Sequence, residues 1–218
     1  MPVPEGQRGL RPPRDERRTM IDGPAGALEV SLNVPADDAG APRGIAMVAH
    51  PHPLQGGTLD NKVAQTLART FAALRYVAVR CNFRGVGRSE GAFDDGRGET
   101  DDLLAALAHA RGQFTALASL PPVLAGFSFG TFVQTRVART VAPERMVLVA
   151  PAVVRFAEAS VPSDTIVIHG ETDDVVALND VFAWARPLDL PVVVFPGCGH
   201  FFHGRLPLLQ RSITGMWR

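Results

Sequence analysis

Six stretches of this chain are almost wholly apolar: residues 43–50, 76–82, 121–125, 145–150, 164–169 and 191–195. Each has the length of a strand, and unbroken rather than alternating hydrophobicity predicts strands covered on both faces. Between them the apolar positions change period. Leu59, Val63, Leu67, Phe71 and Leu74 share one helical face, with Thr58 or Asp60 near the expected cap. A second helix is predicted from about Glu99 to Gln113, with Glu99, Asp101 and Asp102 crowding its positive end. Phe129, Val133, Val137 and Val141 repeat every fourth residue, and further helices are expected around 177–186 and 205–217. Ala27–Val34 alternates instead, and Thr19–Asp22 is expected to pair with it as an antiparallel edge hairpin. Strands alternating with amphipathic helices predict an α/β domain, its mostly parallel sheet covered by helices on both faces.

Chemistry enters at Gly126-Phe127-Ser128-Phe129-Gly130, which joins the third of the apolar stretches to a helix. Strand, G-x-S-x-G, helix is the setting in which a serine hydroxyl stands exposed on a sharp, strained turn at a helix N-terminus. The same pentapeptide pattern occurs at Gly87-Arg88-Ser89-Glu90-Gly91, but the residues after it are polar, glycine-rich and without helical period. Ser128 is therefore read as the nucleophile and Ser89 as a residue that shapes a loop.

Polar residues also gather just past the ends of the predicted strands, where parallel sheets place their ligands. His50 and His52 follow one strand, Arg84 another, Ser128 a third, Asp173 a fourth and His200 a fifth. A serine needs a base within hydrogen-bond reach. His200, in the flexible loop Pro196-Gly197-Cys198-Gly199-His200, is preferred to His203, which lies further on beside the last helix. The imidazole needs an acceptor; Asp173 is the first choice and Asp174 the second. Two backbone N–H groups must meet the oxyanion. Phe129 supplies one, and His52 the other, because Pro51 and Pro53 have no N–H; Leu54 is the fallback. His50, Leu54, Phe127, Phe201 and Phe202 are candidates for the substrate pocket, and Phe129, Phe132 and Phe156 could add to an apolar wall.

Composition narrows the reading. Of 218 residues, 46% are hydrophobic, and 22 acids balance 22 bases, so nothing global points to nucleic acid or an anionic membrane as partner. All the bases are arginine except Lys62. Residues 1–18 carry several arginines and little that packs, and are expected to be a disordered basic leader before one domain over 19–218. Neither a secretory signal nor a membrane-length apolar run is visible, and Cys81 and Cys198 are too few for a disulfide framework. The expectation is cytoplasmic, with oligomeric state unreadable. His50 and His52 could begin a metal site, but the interleaved prolines suit a stiff loop better and no further cluster has ligand spacing; no metal or other cofactor is expected.

Three blocks carry a family likeness. His50-Pro51-His52-Pro53-Leu54-Gln55-Gly56-Gly57-Thr58-Leu59-Asp60-Asn61-Lys62, the run Asn82–Gly91, and Gly199-His200-Phe201-Phe202-His203-Gly204 resemble compact bacterial α/β-hydrolases of the dienelactone-hydrolase-related type. The likeness runs from about Ile21 to the C-terminus. It implies the α/β-hydrolase fold, and it carries the nucleophile to Ser128, the acid to Asp173 and the base to His200. The stretch between Ala150 and Asp164 has room only for a short loop, so little or no cap domain is expected. Dienelactone hydrolases proper use cysteine where this chain has serine, so their substrate does not transfer. The expected function is cleavage of a small carboxylic ester or thioester through an acyl-enzyme. A catalytically silent hydrolase fold, serving as a ligand-binding or interaction module, is the alternative.

Overall fold

The computed structural model describes residues 15–36, 40–155 and 161–217. The chain starts with an antiparallel hairpin, β1 (Asp15–Gly23) and β2 (Gly26–Val34). Strand and helix then alternate: β3 (Gly44–Ala49), α1 (Lys62–Ala73), β4 (Tyr76–Cys81), α2 (Arg97–Gln113), β5 (Val123–Phe127) and α3 (Phe129–Val137). After β6 (Arg145–Val149) come β7 (Ile166–Gly170), α4 (Leu178–Ala185), β8 (Val192–Phe195) and α5 (Leu206–Met216). One sheet of eight strands results, ordered β1-β2-β4-β3-β5-β6-β7-β8 and parallel from β4 to β8. β2 joins it antiparallel to β4.

The unbroken apolar runs are explained by two cores, one on each side of the sheet. Leu103 and Leu107 of α2, Val133 and Val137 of α3 and Val181 of α4 pack on one face. Val63, Leu67 and Phe71 of α1 and Leu209 and Ile213 of α5 pack on the other. A strand wedged between two helical layers is apolar at nearly every position, and β3, β4, β5 and β7 are buried throughout, with Arg80 and His169 as polar exceptions.

Several boundaries move. The hairpin's first strand starts at Asp15, so the expected leader boundary at residue 18 falls inside β1; residues 1–14 lie outside the described residues. The strand escapes a hydrophobic pattern because polar side chains hold it. Glu16 accepts from Arg80, which is only 1% exposed, at 3.0 Å, and also pairs with Arg18. The cap of α1 is Asn61, whose side chain accepts from the N–H groups of Val63 and Ala64, rather than Thr58 or Asp60. Asp60 is instead bound by Arg18, and Leu59 is core ahead of the helix. Helix α3 stops at Val137; Val141 lies beyond it yet packs on the same core. Phe156 falls in 156–160, outside the described residues.

Candidate active site

Ser128 stands between β5 and α3 with φ 53° and ψ −122°, a conformation non-glycine residues seldom adopt. Its neighbours make the turn possible. A Cβ on Gly126 would lie 2.7 Å from the carbonyl carbon and oxygen of Gly130, and one on Gly130 would strike the carbonyls of Ala49 and His50. Strand and helix therefore cross at a distance only glycine permits. The turn is pinned by the Ser128 N–H donating to Val149 O at 3.0 Å, while the Ser128 carbonyl accepts from Thr131 N–H at 2.9 Å and from the Thr131 hydroxyl. Behind it, the buried Gln134 amide donates to the carbonyls of Met47 and Ala125, tying β3 to β5.

The strand ends bring three side chains into one chain of hydrogen bonds. Ser128 Oγ lies 3.0 Å from His200 Nε2, and His200 Nδ1 lies 2.7 Å from Asp173 Oδ2. His200 is 3% exposed, held between Phe127 (ring centroids 5.0 Å apart) and Phe201 (5.1 Å). The other carboxylate oxygen of Asp173 accepts from Val175 N–H at 2.9 Å and Val176 N–H at 2.8 Å. Burial alone would push the Asp173 carboxyl up, but these hydrogen bonds and the facing imidazole outweigh it and hold it below the usual carboxylate range. Asp174 and His203 are exposed; Asp174 makes no such bond, and His203 stacks on Phe201. His169, which the sequence reading passed over, is buried and donates through Nε2 to Val176 O at 2.9 Å, fixing the loop that carries Asp173. Its position at the end of β7, directly before that loop, was the available signal.

The loop after β3 curls back on His52. The His52 carbonyl accepts from Gln55 and Gly57, each at 3.0 Å, and its ring accepts from Leu54 N–H at 3.2 Å. That contact spends the Leu54 N–H, the fallback oxyanion donor. Among the described residues the N–H groups of His52 and Phe129 meet no internal acceptor, and Phe129 opens a helix whose first N–H groups have none. The His52 ring leans on Phe129 at 4.8 Å. Burial, then the nearby Arg155, lowers its pKa against the opposing pull of Asp95 and Glu99.

A shallow cleft of about 100 Å³ opens at Ser128, lined on its sides by His52, Gly57, Asn61, Val175 and Phe201. Of the pocket candidates only Phe201, 48% exposed, lines it. Phe127 and Phe202 are wholly buried in the core beneath, and Leu54 points to solvent. His50 is also wholly buried: its Nδ1–H donates to Pro51 O at 2.7 Å and its Nε2 accepts from Phe83 N–H at 3.0 Å. Burial drives its pKa down to about 4, so it is a neutral brace between two loops, with no nitrogen left for a ligand. Arg84 is likewise occupied, paired with buried Asp102 at 2.9 Å. Asn61 and Val175 line the cleft and were not foreseen, because a helix cap and an apolar loop residue carry no chemical signature.

Comparison with known proteins agrees with this architecture. The family model described as X-Pro dipeptidyl-peptidase (S15 family) matches residues 22–161. An α/β serine hydrolase without lid from Xanthomonas campestris is similar at 35% identity and TM-score 0.85, with 94% of each chain covered. An α/β serine hydrolase homologue from Coxiella burnetii is similar at 37% identity and TM-score 0.82, covering 93% of this chain and 97% of the other. An uncharacterized protein of Rickettsia prowazekii is 30% identical over 217 residues, 89% of this chain and 85% of its own length.

Proposed function

The chain belongs to the S15 family of α/β hydrolases, and from that premise we propose that it cleaves a small carboxylic ester or thioester through an acyl-enzyme on Ser128. The observation that carries the reading is the continuous path from Ser128 Oγ through both His200 nitrogens to Asp173. His200 Nε2 takes the seryl proton as Oγ attacks the carbonyl carbon, and Asp173 steadies the imidazolium that forms. The oxyanion is received by the N–H groups of Phe129 and His52. Collapse of the tetrahedral intermediate passes the proton from His200 to the departing alcohol or thiol. Water, deprotonated by the same imidazole, then releases the acid and restores Ser128.

Two features favour an ester over the peptides named in the family description. Among the described residues, none lining the cleft carries a carboxylate that could fix the N-terminal ammonium of a dipeptide. The cleft is also small and apolar-walled by Val175 and Phe201, which suits a short acyl chain. The substrate is thus a small molecule, with neither nucleic acid nor membrane as partner. Among the described residues no helix is long and apolar enough to cross a membrane, and Cys81 and Cys198 are both free thiols.

The test is turnover of p-nitrophenyl esters of increasing chain length beside glycyl-prolyl p-nitroanilide. Short esters are expected to be hydrolysed in a Ser128-dependent manner and the anilide left intact. Efficient cleavage of the anilide alone would replace the esterase with a peptidase, and no turnover of either would leave a silent fold.

A further inference from the structure

Bordered by Phe201 as well, a second cleft of about 190 Å³ is lined by Asn61, Lys62, Phe201, His203 and Leu206 and does not include Ser128. It shares Asn61 and Phe201 with the cleft at Ser128, so the two are neighbours across one aromatic side chain. Among the described residues its lining carries no acid, and it holds the chain's single lysine. Lys62 is exposed, and its ammonium has no hydrogen-bonding or ion-pair partner among the described residues. The acid two positions before it, Asp60, is already bound by Arg18. The end of α1 adds no free donor of its own at Val63 and Ala64, since Asn61 caps both; the charge there is the ammonium. His203 packs against Phe201 with ring centroids 5.9 Å apart and sets an imidazole on the rim.

Direction follows from the chemistry. The leaving group must receive its proton from His200, so it departs past the imidazole, whereas the oxyanion faces His52 and the N-terminus of α3. Phe201 stands edge-on to His200 at 5.1 Å, which puts the second cleft on the leaving-group side. Resting on the ester-hydrolase reading above, we infer that this cleft is the leaving-group subsite, and that it selects alcohols or thiols bearing a negative charge, which Lys62 holds with His203 beside it. One exposed ammonium makes an attraction of modest size, weakened by salt.

The experiment compares 4-acetoxybenzoate, whose leaving phenol carries a carboxylate, with its neutral methyl ester, each rate normalised to hydroxide-catalysed hydrolysis. The expected wild-type ratio of kcat/KM, anionic over neutral, is about fivefold, and it falls as potassium chloride is raised. Lys62→Gln is expected to remove most of that preference through KM, Lys62→Arg to keep it, and Lys62→Glu to reverse it. His203→Gln should lower the ratio by a smaller factor. A ratio near one in the wild type, or one unmoved by Lys62→Gln and Lys62→Glu, would overturn the subsite while Ser128-dependent hydrolysis of the neutral ester left the hydrolase standing. Failure to cleave either ester would remove both.

Discussion

Gly87-Arg88-Ser89-Glu90-Gly91 and Gly126-Phe127-Ser128-Phe129-Gly130 share a pattern, a chain and a sheet edge, and they are put to opposite uses. At the second pentapeptide the glycines are there for close approach, since a helix follows at once and must pass the strand. The serine hydroxyl is left facing His200. At the first, Gly87 and Gly91 have φ of 58° and 87° and serve a coiling loop with no helix behind it. Ser89 is 7% exposed, and its hydroxyl is consumed: it donates to Asn82 O at 2.7 Å and accepts from Glu29 N–H at 3.0 Å. One hydroxyl is held ready and the other is spent. The difference lies in the backbone that each pentapeptide joins, so a serine motif carries information only together with its flanking periods.

The sharpest way to break this comparison is to delete both hydroxyls. Ser128→Ala is expected to lower kcat on p-nitrophenyl acetate by about 10⁴–10⁶-fold, whereas Ser89→Ala stays within a few-fold of wild type. Reversal of that ranking would exchange their roles. Next in size, Asp173→Asn is expected to cost about 10³–10⁴-fold, because an amide supports the wrong imidazole tautomer. Asp174→Asn, which alters an exposed side chain outside the hydrogen-bond path, is expected to change turnover little; equal losses would mean that either carboxylate serves.

His50 links the two regions: its carbonyl abuts Gly130, and its Nε2 accepts from Phe83, which leads into the Ser89 loop. Its folded pKa of about 4 lies below the unfolded histidine value, so the unfolded chain takes up the proton first as pH falls. Stability is therefore full above about pH 6.5 and declines toward pH 4, by on the order of 3 kcal/mol from this group. Urea midpoints measured across that window should show a shallower slope in His50→Asn than in wild type; parallel slopes would remove His50 as the cause. Smallest is the stability counterpart of the serine pair. Ser89→Ala leaves the buried Glu29 N–H without an acceptor and is expected to lower unfolding stability by about 2 kcal/mol, while Ser128→Ala changes it by less than about 1 kcal/mol. A larger loss in Ser128→Ala would mean that its hydroxyl also holds the fold together.

What could be read from sequence depended on whether a pattern repeats. Sandwiched strands announce themselves because both faces demand apolar residues, as in Tyr76–Cys81, where the exception, Arg80, pairs with Glu16 and donates through its terminal nitrogens to Ser31, Asn33 and the Leu59 carbonyl. The order Ser128, Asp173, His200 pointed to one rim because parallel strands all end there, and the side chains do lie together. Burial at that rim was not legible. His50, Phe127 and Phe202 sit next to site residues in sequence yet are wholly buried; only for Phe127, at the end of β5, does strand alternation turn it away from its neighbour Ser128. The β1 strand was partly hidden for the converse reason: Glu16, Arg17 and Arg18 look like a solvated tail until Arg80 of β4 is paired with Glu16.

The central claim is that Ser128 is the hydroxyl activated by His200. Treating the folded protein with a fluorophosphonate and mapping the adduct by mass spectrometry tests it most directly. The account predicts one adduct, on Ser128, lost in His200→Gln although that variant still folds. An adduct on Ser89, or no adduct on a folded wild-type protein, would contradict it.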